Sequence, residues 1–165
     1  MSSVSLTSLD FRRALGQFAT GVTVVTVEST PGRVHGMTAN SFTSVSLEPP
    51  LISVCVAEHA HLLPLLKEKR FFGINVLREE QQYLSEFFAC ADQPQKDEAT
   101  IGVNFVWTPQ NIPLMENALC QIACRLHATH VAGDHTIVVG EVLTAALYPG
   151  KPLLFFRGDY TRLSY

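Results

Sequence analysis

Residues 120–143, CQIACRLHATHVAGDHTIVVGEVL, decide the fold of this chain. In the first half, apolar and polar residues alternate with a period of two, which is typical of a strand with one buried face. The apolar members of this alternation are Cys120, Ile122, Cys124, Leu126 and Ala128. Gly133 and Asp134 then form a turn, and residues 135–143 return as a second strand rich in β-branched side chains. The stretch therefore predicts a long antiparallel hairpin.

Shorter segments of the same kind lie on both sides of this hairpin. Strands are predicted at residues 22–27, 33–38, 42–47, 51–57, 71–77 and 152–156. Proline–glycine pairs at residues 31–32 and 149–150 interrupt these segments, and so do the two prolines at residues 49–50. Roughly seven or eight antiparallel strands with few intervening helices predict a mainly β chain, folded as a closed or nearly closed barrel.

Two or three helices are expected to flank these strands. Thr7 and Asp10 have the form of a capping box, and apolar residues then repeat at helical spacing to Ala19, before Gly21. A short helix is predicted around residues 62–66 and an amphipathic helix over residues 79–89. The polar residues 92–100 are predicted to form a surface loop. Since no linker divides the chain, we expect residues 1–165 to form a single domain.

The composition narrows the classes of function. The net charge is −3 and the 12 basic residues are scattered, which argues against a nucleic-acid partner. Hydrophobic residues make up 47% of the chain and charged residues 16%, an apolar balance that favours a subunit interface. No segment has the roughly 18 consecutive apolar residues of a membrane span, and residues 1–10 lack a signal-peptide pattern. We therefore expect a cytoplasmic protein with no membrane partner.

The spacing of the cysteines and histidines gives little support for a metal site, and the motifs give little support for a hydrolase. Cys120 and Cys124 share a strand face but lie about 13 Å apart on an extended chain, too far for a disulfide or a shared ion. His59 and His61 have no third ligand at metal-site spacing. The chain also lacks the Gly-x-Ser-x-Gly, Walker and Gly-x-Gly-x-x-Gly motifs. We predict reduced cysteines, no metal site and no glycine-rich phosphate loop.

Residues 35–46, HGMTANSFTSVS, are the most informative segment for function. A strand ends here in small and polar residues and then resumes, so many hydrogen-bonding groups lie close together. Such a segment suits the edge of a planar heterocycle such as a flavin, because small side chains let the backbone approach the ring. It equally suits a β-bulge or turn rich in Thr, Asn and Ser. From the residues alone, both interpretations stay open.

Several motifs in the same order make the chain resemble the short-chain flavin reductases, which supply reduced flavin to two-component aromatic monooxygenases. The motifs are FRRALGQFATGVTVV at residues 11–25, HGMTANSFTSVSLEPP at 35–50, FGINVL at 72–77, GDHTIVVGEV at 133–142 and PLLFFRGDY at 152–160. The resemblance implies a flavin-binding split β-barrel that forms a homodimer, with the flavin near the subunit interface. It also implies FMN or FAD and NADH or NADPH as cofactors, without deciding between them.

The resemblance also implies which residues contact the cofactors. Most of them belong to the flavin side: Thr38, Ala39, Asn40 and Ser41 along the ring, Ser53 and Cys55 beside it, His59 and His61 near the phosphate, and Asn75, Ser85, Phe88 and Ala89 on the opposite side. For Phe88, simple core packing is an equal alternative. Gly133, Asp134 and His135 match a motif that places His135, the candidate catalytic residue, beside the nicotinamide. Phe18 and Tyr160 are aromatic neighbours of the site, or else core or interface residues. Asp159 stands where relatives often have a basic residue, which leaves the dinucleotide preference open.

Hydride transfer between two stacked rings needs orientation more than acid or base groups, so no indispensable proton-transfer residue is expected. One rival hypothesis is a flavin- or haem-binding carrier or sensor with the same barrel and no turnover. Another is a structural barrel subunit without any ligand. Loss of NADH oxidation with retained flavin binding on changing His135 to Ala would separate the reductase from the carrier.

Overall fold

A computed structural model describes residues 6–90 and 101–164 of the chain. Its helices are α1 (Ser8–Leu15), α2 (Leu62–Lys69) and α3 (Gln82–Ala89), the last preceded by a 3-10 turn at Glu79–Gln81. Its strands are β1 (Thr20–Gly21), β2 (Thr23–Thr30), β3 (Arg33–Ala39), β4 (Thr43–Leu47), β5 (Pro50–Ala57), β6 (Phe71–Val76), β7 (Phe105–Trp107), β8 (Pro113–Met115), β9 (Cys120–Ala132), β10 (His135–Leu147), β11 (Leu154–Phe156) and β12 (Asp159–Thr161). The loop predicted at residues 92–100 lies outside the described residues.

The main sheet is antiparallel and has seven strands, in the order β3-β2-β6-β9-β10-β5-β4. Its longest pairing joins β9 to β10, from His135 opposite Ala132 to Leu147 opposite Cys120. This pairing confirms the hairpin predicted from residues 120–143, and the sheet confirms the mainly β, antiparallel fold. Two smaller sheets, β1-β11-β12 and β7-β8, complete the described structure.

The main sheet curls into a barrel that is split along one side. Val25 on β2 and Ala39 on the edge strand β3 share one buried cluster with Val54 and Val138, from the opposite half of the sheet. The two edge strands, β3 and β4, follow each other in the chain but do not pair. Residues 40–42 cross the gap between them. The split therefore lies at the segment that the sequence singled out for ligand binding.

The first helix begins where the capping box predicts, but it ends earlier than predicted. The Asp10 backbone N–H donates to the Thr7 hydroxyl at 3.1 Å, which is the expected N-cap. The helix stops at Gly16 instead of continuing to Ala19. The Gly16 carbonyl accepts a hydrogen bond from the Arg157 backbone N–H at 2.9 Å, which ties the end of the helix to the β11-β12 turn. This long-range contact has no signal in the local pattern.

None of the helices in the described part of the chain is long and apolar enough to cross a membrane.

The first half of β9 is buried on both faces, whereas its alternating pattern predicts one buried face. The unpredicted β7-β8 ribbon covers the second face. Ile112 and Leu114 pack against Ala123 there, and the Gln121 side-chain amide donates to the Met115 carbonyl at 2.7 Å. Because the polar Gln121 is satisfied by a backbone carbonyl, it can be buried at little cost.

Candidate functional site

Three adjoining clefts surround the end of β3, and they share lining residues. The first, about 370 Å³, runs from His35 to Thr38 and Ala89. The second, about 180 Å³, is lined by Thr38, Ala89 and Asn40. The third, about 600 Å³, contains Asn40 together with Phe18. Thr38 and Ala89 belong to the first two clefts and Asn40 to the last two, so the three adjoin one another around the end of β3; together they are here called the β3 groove.

Two hydrogen bonds hold α3 in place along this groove. The Thr38 hydroxyl on β3 donates to the Ser85 backbone carbonyl at 2.6 Å. The Ser85 hydroxyl lies 2.8 Å from the Tyr160 hydroxyl on β12, with which it shares a hydrogen bond. Tyr160 also packs edge-on against Phe155, with ring centroids 5.4 Å apart. The structure thus brings together Thr38, Ser85 and Tyr160, three of the residues that the sequence places at the site.

The segment that crosses the split is pinned to β5 by Ser41. Its hydroxyl accepts a hydrogen bond from the Cys55 backbone N–H at 3.0 Å and donates one to the Cys55 carbonyl at 3.3 Å. Ser41 and Cys55 are therefore neighbours, as the sequence implies, although the Ser41 hydroxyl is already engaged. Asn40, the preceding residue, is exposed and lines both the second and third clefts.

His135 lies on the outer face of the sheet, beside this segment. Along β5, Ile52, Val54 and Val56 are buried, so the intervening Ser53 and Cys55 face away from the core and are half-buried. His135 pairs with Ala57, and Ile137 with Cys55. Because alternate residues of paired strands share a face, His135 lies on the same outer face as Cys55 and Ser53.

The turn that carries His135 also orients its ring. Gly133 has φ of 66°, a left-handed conformation that glycine adopts without strain. The His135 Nδ1 atom lies 2.7 Å from the Asp134 carboxylate. This hydrogen bond and the electrostatic attraction to His135 lower the pKa of Asp134, so the carboxylate stays charged and accepts a hydrogen bond from Nδ1–H. The arrangement leaves Nε2 as the ring nitrogen available to a ligand.

Comparisons with known proteins identify the family of this chain. The model of the flavin reductase like domain family matches residues 15–164. This chain belongs to that family. An NADH-dependent flavin reductase of a Rhodococcus species is 42% identical over 161 residues, covering 96% of this chain and 88% of that protein. The reductase component of a 4-hydroxyphenylacetate 3-monooxygenase from Thermus thermophilus is 41% identical over 154 residues, covering 93% of this chain and 95% of that protein.

A solved structure shows the same fold. The flavin reductase PheA2 in its native state superposes on this flavin reductase domain with a TM-score of 0.87 and 41% identity, covering 97% of this chain and all of that one (100%). The resemblance drawn from the sequence motifs is therefore confirmed, and so is the split barrel.

The lining of the β3 groove in this flavin reductase domain has the polarity that suits a flavin. Its middle part is formed by Thr38 and Asn40, whose small polar side chains leave the backbone open to the edge of a ring. Its walls are apolar and aromatic, from Phe88 at one end to Phe18 and Phe42 at the other. A flat heterocycle with polar edges needs this combination of apolar faces and a few polar groups.

Asn75, another residue of the predicted set, does not line the β3 groove in the structure. Asn75 is fully buried at 0% exposure. Its amide nitrogen donates to the Val24 carbonyl and the Thr26 hydroxyl, both at 3.0 Å. Its amide oxygen accepts from the Met115 backbone N–H at 2.7 Å. These bonds join β2, β6 and β8, so Asn75 holds the β7-β8 ribbon on the outer face of the main sheet.

Two other residues of the predicted set contribute to the β3 groove mainly by packing. The side chain of Ala39 is buried in the barrel core, so only its backbone is close to the split. Phe88 is 3% exposed and packs on β3 at Gly36, where an added Cβ would lie 2.6 Å from its ring. Phe88 thus forms part of the wall of the first cleft while belonging to the second core cluster.

The first cleft contains a group of histidines, one of which the sequence analysis missed. His59 and His61 line it as the family resemblance suggests, and His35 on β3 joins them. The rings of His35 and His61 meet edge to face, with centroids 6.5 Å apart. Burial lowers the pKa of His35, and the charge of His61 lowers it further. The curl of β3 toward the loop before α2 creates this contact, which residue spacing alone does not reveal.

Across the described ranges, no cluster of three or more His, Cys, Asp or Glu side chains is arranged to hold a metal ion.

Proposed function

We propose that this protein is an NADH-dependent flavin reductase that delivers reduced FMN or FAD to a separate monooxygenase. The observation that carries the proposal is the β3 groove at the barrel split, with the His135–Asp134 pair on the adjoining sheet face. The Rhodococcus relative, named for NADH and flavin, supports the choice of cofactors. The Thermus relative, named as a monooxygenase reductase component, supports a separate oxygenase as the consumer of reduced flavin.

The reaction is a two-electron transfer in which NADH gives a hydride to the flavin, yielding NAD⁺ and reduced flavin. We assign the binding of the flavin edge to the backbone and side chains of Thr38, Asn40 and Ser41. We assign His135 to the nicotinamide, since Nδ1 donates to Asp134 and Nε2 is then able to accept a hydrogen bond from the carboxamide. These residues orient and bind, and none of them has to move a proton.

A second copy of the chain is proposed to complete the site. No residue of α1 is buried, and its apolar side chains Leu9, Phe11 and Leu15 are at least 50% exposed. Phe18, which follows the helix and lines the third cleft, is 78% exposed. A homodimer would cover this apolar surface and narrow the groove at Phe18. We place the protein in the cytoplasm, where NADH is available, and treat residues 1–165 as one domain.

The groove is open rather than enclosed, which supports the flavin as a diffusible substrate. Its segment at the split lies at the surface, with Asn40 and Ser41 both exposed. A carrier that only held a flavin or haem would have no use for an oriented imidazole on the neighbouring face. The His135–Asp134 pair therefore favours the reductase over the carrier hypothesis.

The experiment that tests the proposal is NADH oxidation by the purified protein, followed by the loss of NADH absorbance. FMN, FAD, riboflavin or no flavin is added in parallel, and the series is repeated with NADPH. We expect oxidation that depends on added flavin and is faster with NADH. Absence of oxidation with every flavin, in a protein that still binds FMN, would overturn the reductase and support the carrier. Sedimentation of the same sample tests the dimer.

A further inference from the structure

The turn that carries His135 projects from the end of the main sheet. The Asp134 side chain is 93% exposed, and a Cβ added at Gly133 would meet no atom within 4 Å. His135 is the first residue of β10, and it pairs with Ala57, the last residue of β5. Pairs at the end of a ladder open more readily than pairs in its middle. The position of His135 relative to the β3 groove therefore depends on what anchors this turn.

Glu58, the residue after β5, contacts the chain on both sides of His135. Its backbone N–H donates to the Asp134 carbonyl at 3.0 Å, one position beyond the pair of His135 and Ala57. Its carboxylate accepts a hydrogen bond from the Thr136 hydroxyl. Glu58 thus holds the residue before His135 and the residue after it.

Thr136 is a firm attachment point for the Glu58 side chain. It is 0% exposed, and it lies on the buried face of β10 together with Val138. Glu58 itself is exposed, so its side chain reaches back over the end of the strand to the Thr136 hydroxyl. A buried hydroxyl without an acceptor costs free energy, which favours the conformation in which Glu58 satisfies Thr136.

The neighbours of Glu58 in the chain belong to the first cleft. Ala57, His59 and His61 line this cleft, whereas Glu58 does not. The hydrogen bonds of Glu58 are directed to the His135 turn instead. Glu58 therefore connects the loop on the flavin side of the site to the turn assigned to the nicotinamide.

We propose that Glu58 is a positioning residue, which fixes the His135 turn against the loop of the first cleft and thereby sets the affinity for NADH. The inference rests on the proposed function, since that function assigns His135 to the nicotinamide. Glu58 acts through Thr136 and Asp134 and contacts no cofactor itself.

This role predicts a separation of KM from kcat. Without the Glu58 carboxylate, the turn samples further orientations, and the apparent affinity for NADH falls with the fraction of molecules in the competent one. Saturating NADH draws the molecules back to the competent orientation, so kcat is retained. A purely structural role would instead lower the amount of folded, active protein and leave the KM unchanged.

The test is NADH oxidation with saturating FMN by Glu58→Ala, Glu58→Gln and Thr136→Val. Loss of a hydrogen bond of ordinary strength predicts a KM for NADH that rises about fivefold in Glu58→Ala and in Thr136→Val, with kcat within about twofold of wild type. Glu58→Gln should keep the wild-type KM, because its amide carbonyl also accepts from Thr136. Glu68→Ala, which removes an exposed carboxylate from α2, is the matched control. A wild-type KM in Glu58→Ala or Thr136→Val, or a Glu58→Gln variant that behaves like Glu58→Ala, would overturn the inference.

Two double variants keep the test decisive. Glu58→Ala alone leaves the buried Thr136 hydroxyl without its acceptor, whereas Glu58→Ala with Thr136→Val removes both partners and should fold even where the single variant does not. Its KM should match that of Thr136→Val alone. In a protein that already carries His135→Ala, Glu58→Ala should raise the KM no further. A further rise would show that Glu58 acts elsewhere and would overturn the inference.

The failure of this inference can be distinguished from that of the proposed function. Flavin-dependent NADH oxidation by the wild-type protein, together with a wild-type KM in the Glu58 and Thr136 variants, would reject only the positioning role. A protein that oxidises no NADH with any flavin would reject the proposed function and the positioning role with it.

Discussion

The side-chain hydroxyls of Ser85 and Tyr160 lie 2.8 Å apart and share a hydrogen bond, although 75 positions separate the two residues in the chain. The backbone carbonyl of Ser85 also accepts a hydrogen bond from the Thr38 hydroxyl at 2.6 Å. Ser85 thereby links α3 to both β12 and β3. The position of α3 over the groove depends on these two bonds and on the packing of Phe88 at Gly36.

Changing Tyr160 to Phe should weaken flavin binding more than it weakens folding. The substitution removes one partner of a part-buried hydrogen bond, which costs about 1 kcal/mol of unfolding free energy. Because α3 then loses one of its two attachments at Ser85, we expect the FMN dissociation constant to rise several-fold. Urea unfolding and FMN titration measure the two effects. Tyr83→Phe, at an exposed position of α3, should change neither; an unaltered FMN affinity in Tyr160→Phe would contradict the role given to this bond.

Changing His135 to Ala should reduce turnover and leave flavin binding intact. We expect the rate of NADH oxidation to fall at least about tenfold and the KM for NADH to rise, because the nicotinamide loses its orienting group. The FMN dissociation constant should stay within about twofold of wild type. His130→Ala, an exposed change in the same hairpin, serves as control. Equal loss of FMN binding and of activity would place His135 at the flavin instead.

The Asp134 carboxylate should contribute no pH dependence in the neutral range. Its hydrogen bond to His135 lowers its pKa below the ordinary value of 3.8. A lowered carboxyl pKa gives stability that is present above about pH 4 and is lost as the pH falls further. Asp134→Asn should therefore show a smaller drop in urea midpoint than wild type as the pH falls from about 5 to about 3. If the two proteins lose stability in parallel, the hydrogen bond to His135 does not couple Asp134 to folding.

Changing Gly36 to Ala should destabilise the fold and disturb the groove. The new Cβ would lie 2.6 Å from the Phe88 ring, which is almost fully buried and cannot move freely. Overpacking of this kind costs about 1–3 kcal/mol. We also expect weaker FMN binding, since α3 would shift away from β3. Gly21→Ala, whose Cβ would meet nothing within 4 Å, is the matched control for unfolding. Wild-type stability in Gly36→Ala would show that the ring adapts.

The ligand-free protein should lose stability in mild acid partly through His35. Because burial and His61 lower the pKa of His35, the folded state binds fewer protons there than the unfolded state does. The stability that neutral His35 contributes is complete above about pH 6.5 and declines as the pH falls below this value. His35→Gln should therefore show a smaller drop in urea midpoint between about pH 7 and about pH 5 than wild type. An equal drop in both proteins would assign the acid sensitivity to other groups.

Much of the fold could be predicted because its signals are local. The alternation at residues 120–128, the turn at Gly133 and the capping box at Thr7 each lie within a few positions, and the structure confirms all three. The β7-β8 ribbon escaped prediction because its strands are three residues each, too short to show a period. Its presence then altered the burial of Gln121 and Ala123, which local alternation cannot anticipate.

The sequence by itself determined the antiparallel barrel, its family and the polar segment at residues 38–41, since these depend on residue type and short-range order. Only the tertiary structure decided what each side chain of that segment does. The curl of the sheet engaged Ser41 with Cys55, brought His35 to His61 and joined Ser85 to Tyr160. The β7-β8 ribbon buried Asn75 on the outer face of the main sheet. Such contacts depend on strand register and sheet curvature, which arise from the packing of the whole core and have no imprint in the spacing of the residues concerned.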